Sequence, residues 1–166
     1  MKISRGFARR ERPVRSSLHH VLTRSLPYRA EQLFDLVGAV ELYPEFVPWV
    51  SDMRVSDRRS DGEGISLLNA RAQVRFMIIR ETFSTRVRLD RPAMVIDADL
   101  ISGPFRRLST RWRFEPLGDG AELTFAIDFE FGSRLLQALF AANFERAVAK
   151  VIGCFEARAK ALYGEG

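Results

Sequence analysis

The run Leu123-Thr124-Phe125-Ala126-Ile127-Asp128-Phe129-Glu130-Phe131 alternates large apolar residues with small or polar ones at period two. Beyond it Leu136, Phe140, Phe144, Ala147, Val151, Phe155, Ala159 and Leu162 recur every three or four. A strand with one dry face is therefore followed by a helix with one dry stripe, and each needs the other as cover. Ser133 supplies the N-cap and Gly164 the stop. At 1.5 Å rise per residue, a helix of roughly thirty residues spans about 45 Å, enough to cross a whole sheet.

The same alternation runs backward through the chain. Leu108, Thr110, Trp112 and Phe114 alternate with Ser109, Arg111, Arg113 and Glu115, and Ile79, Phe83, Val87 and Leu89 alternate with Arg80, Thr82, Ser84, Arg86 and Arg88. Residues 94–101 form another strand, with Asp97 and Asp99 facing solvent. Leu68, Ala70, Ala72, Val74 and Phe76 mark one more, and Met53 and Val55 another. Turns fall at Asp61-Gly62-Glu63-Gly64, near Phe76 to Ile78, at Arg91-Pro92 and at Gly118-Asp119-Gly120. Upstream, Leu18, His20, Leu22 and Leu26 give a first strand ended by Pro27, and Leu33, Phe34, Val37 and Val40 lie on one face of a short helix.

One strand, a helix, about six strands and a long C-terminal helix describe an α+β helix-grip fold, in which a curved antiparallel sheet of about seven strands wraps around that helix. A straight rod cannot fill a concave surface, so this arrangement leaves room for an apolar cavity. Phe83, Trp112, Phe125, Phe129, Phe140 and Phe144 project toward the covered side, a lining suited to a ligand rich in methylenes or carrying an aromatic ring. Plain core packing is the alternative use of the same side chains.

Leu42-Tyr43-Pro44-Glu45-Phe46-Val47-Pro48-Trp49 crowds aromatic and apolar groups into a segment that two prolines keep out of regular helix or central strand. These side chains belong at a core edge or at the mouth of a cavity. Glu81 breaks the dry face shared by Ile79, Phe83 and Thr85. Its carboxylate points inward, where it needs an arginine, a backbone donor or a polar ligand group, unless it pairs at the sheet rim.

The chain has 166 residues, 46% of them hydrophobic, and a formal net charge of +5, and no composition shift divides it. It reads as a basic N-terminal arm, residues 1–15, and one domain, 16–164. The arm holds Lys2, Arg5, Arg9, Arg10, Arg12 and Arg15 against Glu11, which leaves 20 basic and 20 acidic groups for the rest. Its composition predicts disorder and an affinity for anionic surfaces. The neutral body argues against a groove for DNA. No apolar run reaches transmembrane length and no signal peptide is expected. The single cysteine, Cys154, falls among apolar helix positions and reads as structural. His19 and His20 face opposite sides of a strand and cannot share a metal. No phosphate loop, nucleophile elbow or metal-ligand spacing is present, so no catalytic residue and no metal ligand is assigned.

From Leu18 to Leu162 the chain resembles the coenzyme Q-binding branch of the START-like, polyketide cyclase/dehydrase and lipid-transport superfamily. The resemblance rests on four segments: Tyr43 to Trp49, Gly103-Pro104-Phe105-Arg106-Arg107-Leu108 leading to Trp112-Arg113-Phe114, Ile127 to Phe131, and Cys154-Phe155-Glu156-Ala157-Arg158-Ala159. It implies a non-enzymatic protein that needs no cofactor and holds ubiquinone or a related isoprenoid lipid, with Phe46, Val47, Pro48 and Trp49 at the cavity mouth. It also implies transient contact with a membrane during lipid delivery to respiratory or biosynthetic sites. The bacterial members resemble a ribosome-association toxin type described as blocking subunit joining, which makes a ribosomal subunit the alternative partner. Arg106, Arg107, Arg111 and Arg113 are the candidate patch for it. A polyketide aromatase or cyclase is the second alternative, disfavoured by the apolar inward positions. An excess of 23 Arg over 3 Lys fits a GC-rich bacterial genome, hence a cytoplasmic protein peripheral to the inner membrane. A mitochondrial origin is the other option.

Overall fold

The computed structural model describes residues 17–76 and 78–165. The basic stretch 1–15 lies outside them. Strand β1 (Leu18–Leu26) leads into helix α1 (Ala30–Gly38) and a 3₁₀ turn (Val40–Glu45). Six strands follow: β2 (Val50–Ser60), β3 (Ile65–Phe76), β4 (Ile79–Asp90), β5 (Val95–Ser102), β6 (Phe105–Leu117) and β7 (Gly120–Phe131). Helices α2 (Arg134–Ala141) and α3 (Phe144–Tyr163) end the chain.

All seven strands form one antiparallel sheet in the order β1-β7-β6-β5-β4-β3-β2. Consecutive hairpins explain the run from β2 to β7. Only β1 is out of sequence, because α1 and the 3₁₀ turn carry the chain from one sheet edge to the other. Gly62, Gly64 and Gly118 take positive φ in the turns where the alternation stops.

Helix α1 closes one end of the concave face. Phe34 meets Phe114 edge-to-face with centroids 6.1 Å apart, and Gly38 lies so near Leu89 and Ile96 that a Cβ there would come within 2.8 Å of Leu89 Cδ2. The fully sealed side chains Phe114, Leu68, Leu123, Ile152 and Val37 belong to this end. The 3₁₀ turn accommodates Pro44, and Tyr43 ties it back to α1 by donating to the Val37 carbonyl at 2.5 Å.

The C-terminal helix differs from expectation. It is not one rod of roughly thirty residues but two helices broken at Ala142-Asn143. Ser133 does cap the first, its Oγ accepting from Leu136 N–H at 3.4 Å. The break has a physical cause in two anchors that no straight helix can satisfy together. Gln137 holds α2 against the end of β7, its Oε1 accepting the Phe131 N–H at 2.9 Å. Helix α3 is bound to α1 and the 3₁₀ turn through Tyr163 Oη to the Gln32 carbonyl at 3.1 Å, Tyr28 Oη to the Gly164 carbonyl at 2.8 Å, and Arg158 to Glu45 at 2.8 Å. The chain turns at Asn143, a poor helix former, whose N–H reaches only the Phe140 carbonyl. Leu162, expected on the buried stripe, is 52% exposed, since Tyr163 makes the docking contact of the last turn. Val148 and Ile152 are sealed in its place along the helix.

An apolar cavity between the sheet and the C-terminal helices

Away from α1 the concave face is open, and a cavity in two lobes runs through it. The outer lobe, about 250 Å³, lies among β3, β4, β6, β7, α2 and the start of α3. The inner lobe, about 290 Å³, reaches back toward the 3₁₀ turn. Trp49, Val74, Phe83, Leu108, Phe125 and Ile127 line both, so the lobes are adjacent and share these side chains as walls.

Aromatic rings make most of the wall. In the outer lobe Phe129 packs on Phe144 at 4.9 Å between centroids, Phe105 on Phe131 at 5.0 Å and on Phe83 at 5.3 Å, and Phe76 on Phe140 at 5.3 Å. In the inner lobe Trp112 lies 4.4 Å from Phe125 and 4.9 Å from Phe155. Tyr43, also in this wall, has its hydroxyl engaged by Val37, and burial together with the Glu41 charge pushes its pKa up.

The sequence-expected residues divide. Glu81, Phe83, Phe125, Phe129, Phe140 and Phe144 line the outer lobe, and Val47, Phe83, Trp112 and Phe125 the inner one. Trp49 stands between the lobes and meets Phe76 edge-to-face at 5.4 Å. Phe46 and Pro48, expected beside it at the mouth, do not reach the cavity. They face a shallow outer groove against Gly153, Cys154 and Arg158. The cause is local: Phe46 N–H and Val47 N–H both bond the Tyr43 carbonyl, which turns Val47 inward and leaves Phe46 edge-to-face with Phe155 at 5.1 Å beneath Arg158. Burial pushes the Cys154 thiol pKa up in that groove, which keeps it protonated.

Glu81 lines the outer lobe with its methylenes while its carboxylate presents no surface to it, and that carboxylate makes no hydrogen bond or ion pair among the described residues. Phe105 was missed by the alternation. A bulge between Phe105 and Arg107 puts Phe105 and Leu108 on one face despite their odd spacing. Gly103 carries this corner: it has φ +146° and a Cβ there would lie 2.5 Å from Phe83 Cβ. Thr85 and Thr110 line the inner lobe, on the face the alternation gives them, although nothing in their spacing assigns them a role.

No group of three His, Cys, Asp or Glu side chains that could hold a metal occurs among the described residues, and no helix there is long and apolar enough to cross a membrane. A concave sheet clasped by C-terminal helices around an apolar cavity defines a START-like protein. Residues 26–156 match the family model for polyketide cyclase / dehydrase and lipid transport, and the chain belongs to that family.

Its relatives carry several names. The chain is 37% identical over 141 residues to the ribosome association toxin RatA of Rickettsia prowazekii, covering 83% of this chain and 93% of that one. It is 29% identical over 147 residues to the mitochondrial coenzyme Q-binding protein COQ10 homolog B of Xenopus laevis, covering 86% and 58%. Among solved structures, the 18 kDa protein CC1736 of Caulobacter crescentus is 52% identical with a TM-score of 0.76, covering 89% of this chain and 99% of that one. The Zhui aromatase/cyclase of Streptomyces sp. R1128 shares the fold at 18% identity, with a TM-score of 0.73 and coverage of 87% and 94%.

Proposed function

We propose that this protein binds ubiquinone or a related isoprenoid lipid in the two-lobed cavity and carries it, without chemical turnover, to or from a membrane in the bacterial cytoplasm. The observation that carries this reading is the continuous aromatic and aliphatic lining from Trp112 to Phe140. Each buried CH₂ contributes roughly 0.8 kcal/mol, so a few isoprene units suffice for retention. The polar groups in the wall are few, and they do not form the nucleophile, acid–base pair or metal set that an aromatase or hydrolase would use.

The surface around the outer lobe suits membrane contact. Ile78 is 83% exposed at the β3–β4 tip, and Leu135 and Leu139 on α2 are 70% and 45% exposed. They belong to the elements whose other faces, at Phe76, Ile79 and Phe140, line the cavity. Arg75, Arg80 and Arg134 accompany them and form no ion pair among the described residues, a combination that favours an anionic bilayer.

The test is organic extraction of protein purified from a ubiquinone-making host, followed by mass spectrometry. Near-stoichiometric isoprenoid lipid is expected. No lipid in the extract, together with no uptake of ubiquinone from vesicles, overturns the reading.

Ribosome association is the second reading, favoured by the names of the bacterial relatives. The four arginines expected to serve it are engaged on the outer sheet face: Arg106 with Glu130 and Arg107 with Asp128, both at 3.7 Å, Arg111 with Asp97 at 2.7 Å, and Arg113 with Glu115 at 3.7 Å. Such paired charges make a weaker phosphate surface than free ones. Specific co-sedimentation with ribosomal subunits, reduced by charge reversal on that face, would establish this function.

A further inference from the structure

The cavity's polar surface lies in its inner lobe. Inward residues of β4 run Ile79, Glu81, Phe83, Thr85, and at about 3.3 Å per residue Thr85 lies about 13 Å deeper than Glu81. Thr85 is only 8% exposed, lines the inner lobe, and makes no hydrogen bond among the described residues. Thr110 lines the same lobe with its hydroxyl likewise unbonded, and the indole N–H of Trp112 beside them has no partner either. Tyr43, the other hydroxyl there, is already spent on Val37. The inner lobe therefore holds two hydroxyls, each able to donate or accept, and an indole N–H that can only donate, all without a partner. The outer lobe's wall is apolar throughout, since Glu81 lines it with its methylenes and not with its carboxylate. Neither lobe is lined by Lys, Arg or His.

We infer that the ligand enters head-first: a neutral ring bearing carbonyl oxygens seats at Thr85 and Thr110 against Trp112, and its isoprenoid tail runs outward past Phe83. The opposite orientation would set carbonyl oxygens against the apolar outer wall and leave the threonine hydroxyls facing hydrocarbon, unfavourable at both ends. The same distribution makes the cavity selective. An anionic amphiphile such as a fatty acid finds no cation to pair with in either lobe. The cavity thus discriminates by head-group charge as well as by apolar volume. This inference rests on the lipid-binding reading and adds the orientation and class of the head group.

Titrations of the purified full chain with three probes separate the possibilities: a ubiquinone with two isoprene units, an isoprenoid hydrocarbon of similar length without a head group, and a sixteen-carbon fatty acid. Thr85→Val and Thr110→Val remove a hydroxyl at nearly constant shape in a strand that favours β-branching. Each is expected to weaken quinone binding about three- to tenfold, the worth of one hydrogen bond, and to leave the hydrocarbon unaffected. Thr85→Ser, which keeps the hydroxyl, should restore quinone binding. Equal losses for quinone and hydrocarbon in both valine variants, or fatty-acid binding by the parent as tight as its quinone binding, overturn the head-first assignment while leaving lipid carriage intact. A parent protein that takes up none of the probes removes both readings together.

Discussion

The side chain of Gln137 on α2 accepts the backbone N–H of Phe131 at the end of β7, a buried hydrogen bond of 2.9 Å between the last strand and the first C-terminal helix. It fixes where α2 stands and so shapes the outer lobe, because Phe131 and Phe140 pack at 5.1 Å directly beside it. Gln137→Leu removes the acceptor and strands that N–H, at a cost of about 1–3 kcal/mol. Hydrogen exchange at the Phe131 amide should accelerate markedly in the variant. An unchanged rate would show that the bond does not hold α2.

Trp49 separates two outcomes that a core tryptophan would merge. It is half-buried, touches both lobes and leans on Phe76 at 5.4 Å. Trp49→Ala should weaken lipid retention while costing less stability than the about 3–5 kcal/mol of a core aromatic truncation. Urea unfolding and lipid retention measured on one preparation decide it. Global unfolding with the loss of binding, or binding that is untouched, counts against its role at the junction of the lobes.

Gly103 is required twice, by its φ of +146° and by its approach to Phe83. Gly103→Ala should destabilise by more than about 1 kcal/mol and displace Phe83 into the cavity, lowering lipid uptake. Gly118→Ala is the control: its φ is +59°, yet nothing lies within 4 Å of the added methyl. The control should cost no more than a left-handed alanine does and leave uptake unchanged.

Phe144 sits where α3 begins, 6% exposed and 4.9 Å from Phe129. Phe144→Asp would set an unpaired carboxylate against the lipid and the apolar wall. The expected result is loss of extractable lipid or loss of folding, whereas Phe144→Leu should keep the fold and most of the lipid. Full lipid loading in the aspartate variant would show that the outer lobe is not the tail's path.

Asp90 gives a pH dependence. The Ala93 N–H at 3.0 Å and then the Arg88 guanidinium at 2.7 Å hold its carboxyl below the ordinary carboxylate value. A depressed folded pKa adds stability that is present above the unfolded value of about 3.9 and is lost as pH falls through the folded one. The stability gap between the parent and Asp90→Ala should be widest near neutrality and narrow on acidification below about pH 4. A gap independent of pH would remove the carboxylate from the account.

Much of the site was legible because a strand's period is rigid. Glu81, Phe83, Phe125 and Phe129 reach the covered face through simple alternation, and the sheet keeps that alternation in register. Phe105 was not legible, since one bulged residue inverts the parity of everything before it. Phe46 and Pro48 were not legible either. A proline-bounded segment has no period, and the two N–H bonds to the Tyr43 carbonyl decide which of its side chains turn in.

The sequence by itself determined the order of elements, the dry face of each strand and the hairpin turns, because these depend on contacts between near neighbours and on repeats of two or about 3.6 residues. Tertiary structure alone decided that the C-terminal helix breaks at Asn143. Helix propensity there differs by less than 1 kcal/mol from its neighbours, and the two helices are held by different anchors, α2 by Phe131 close by in the chain and α3 by Gln32 and Glu45, which are distant in it. It also decided that the aromatic face encloses a cavity rather than a solid core, because the gap between a curved sheet and a bent pair of helices is a property of their curvature, which no single segment carries.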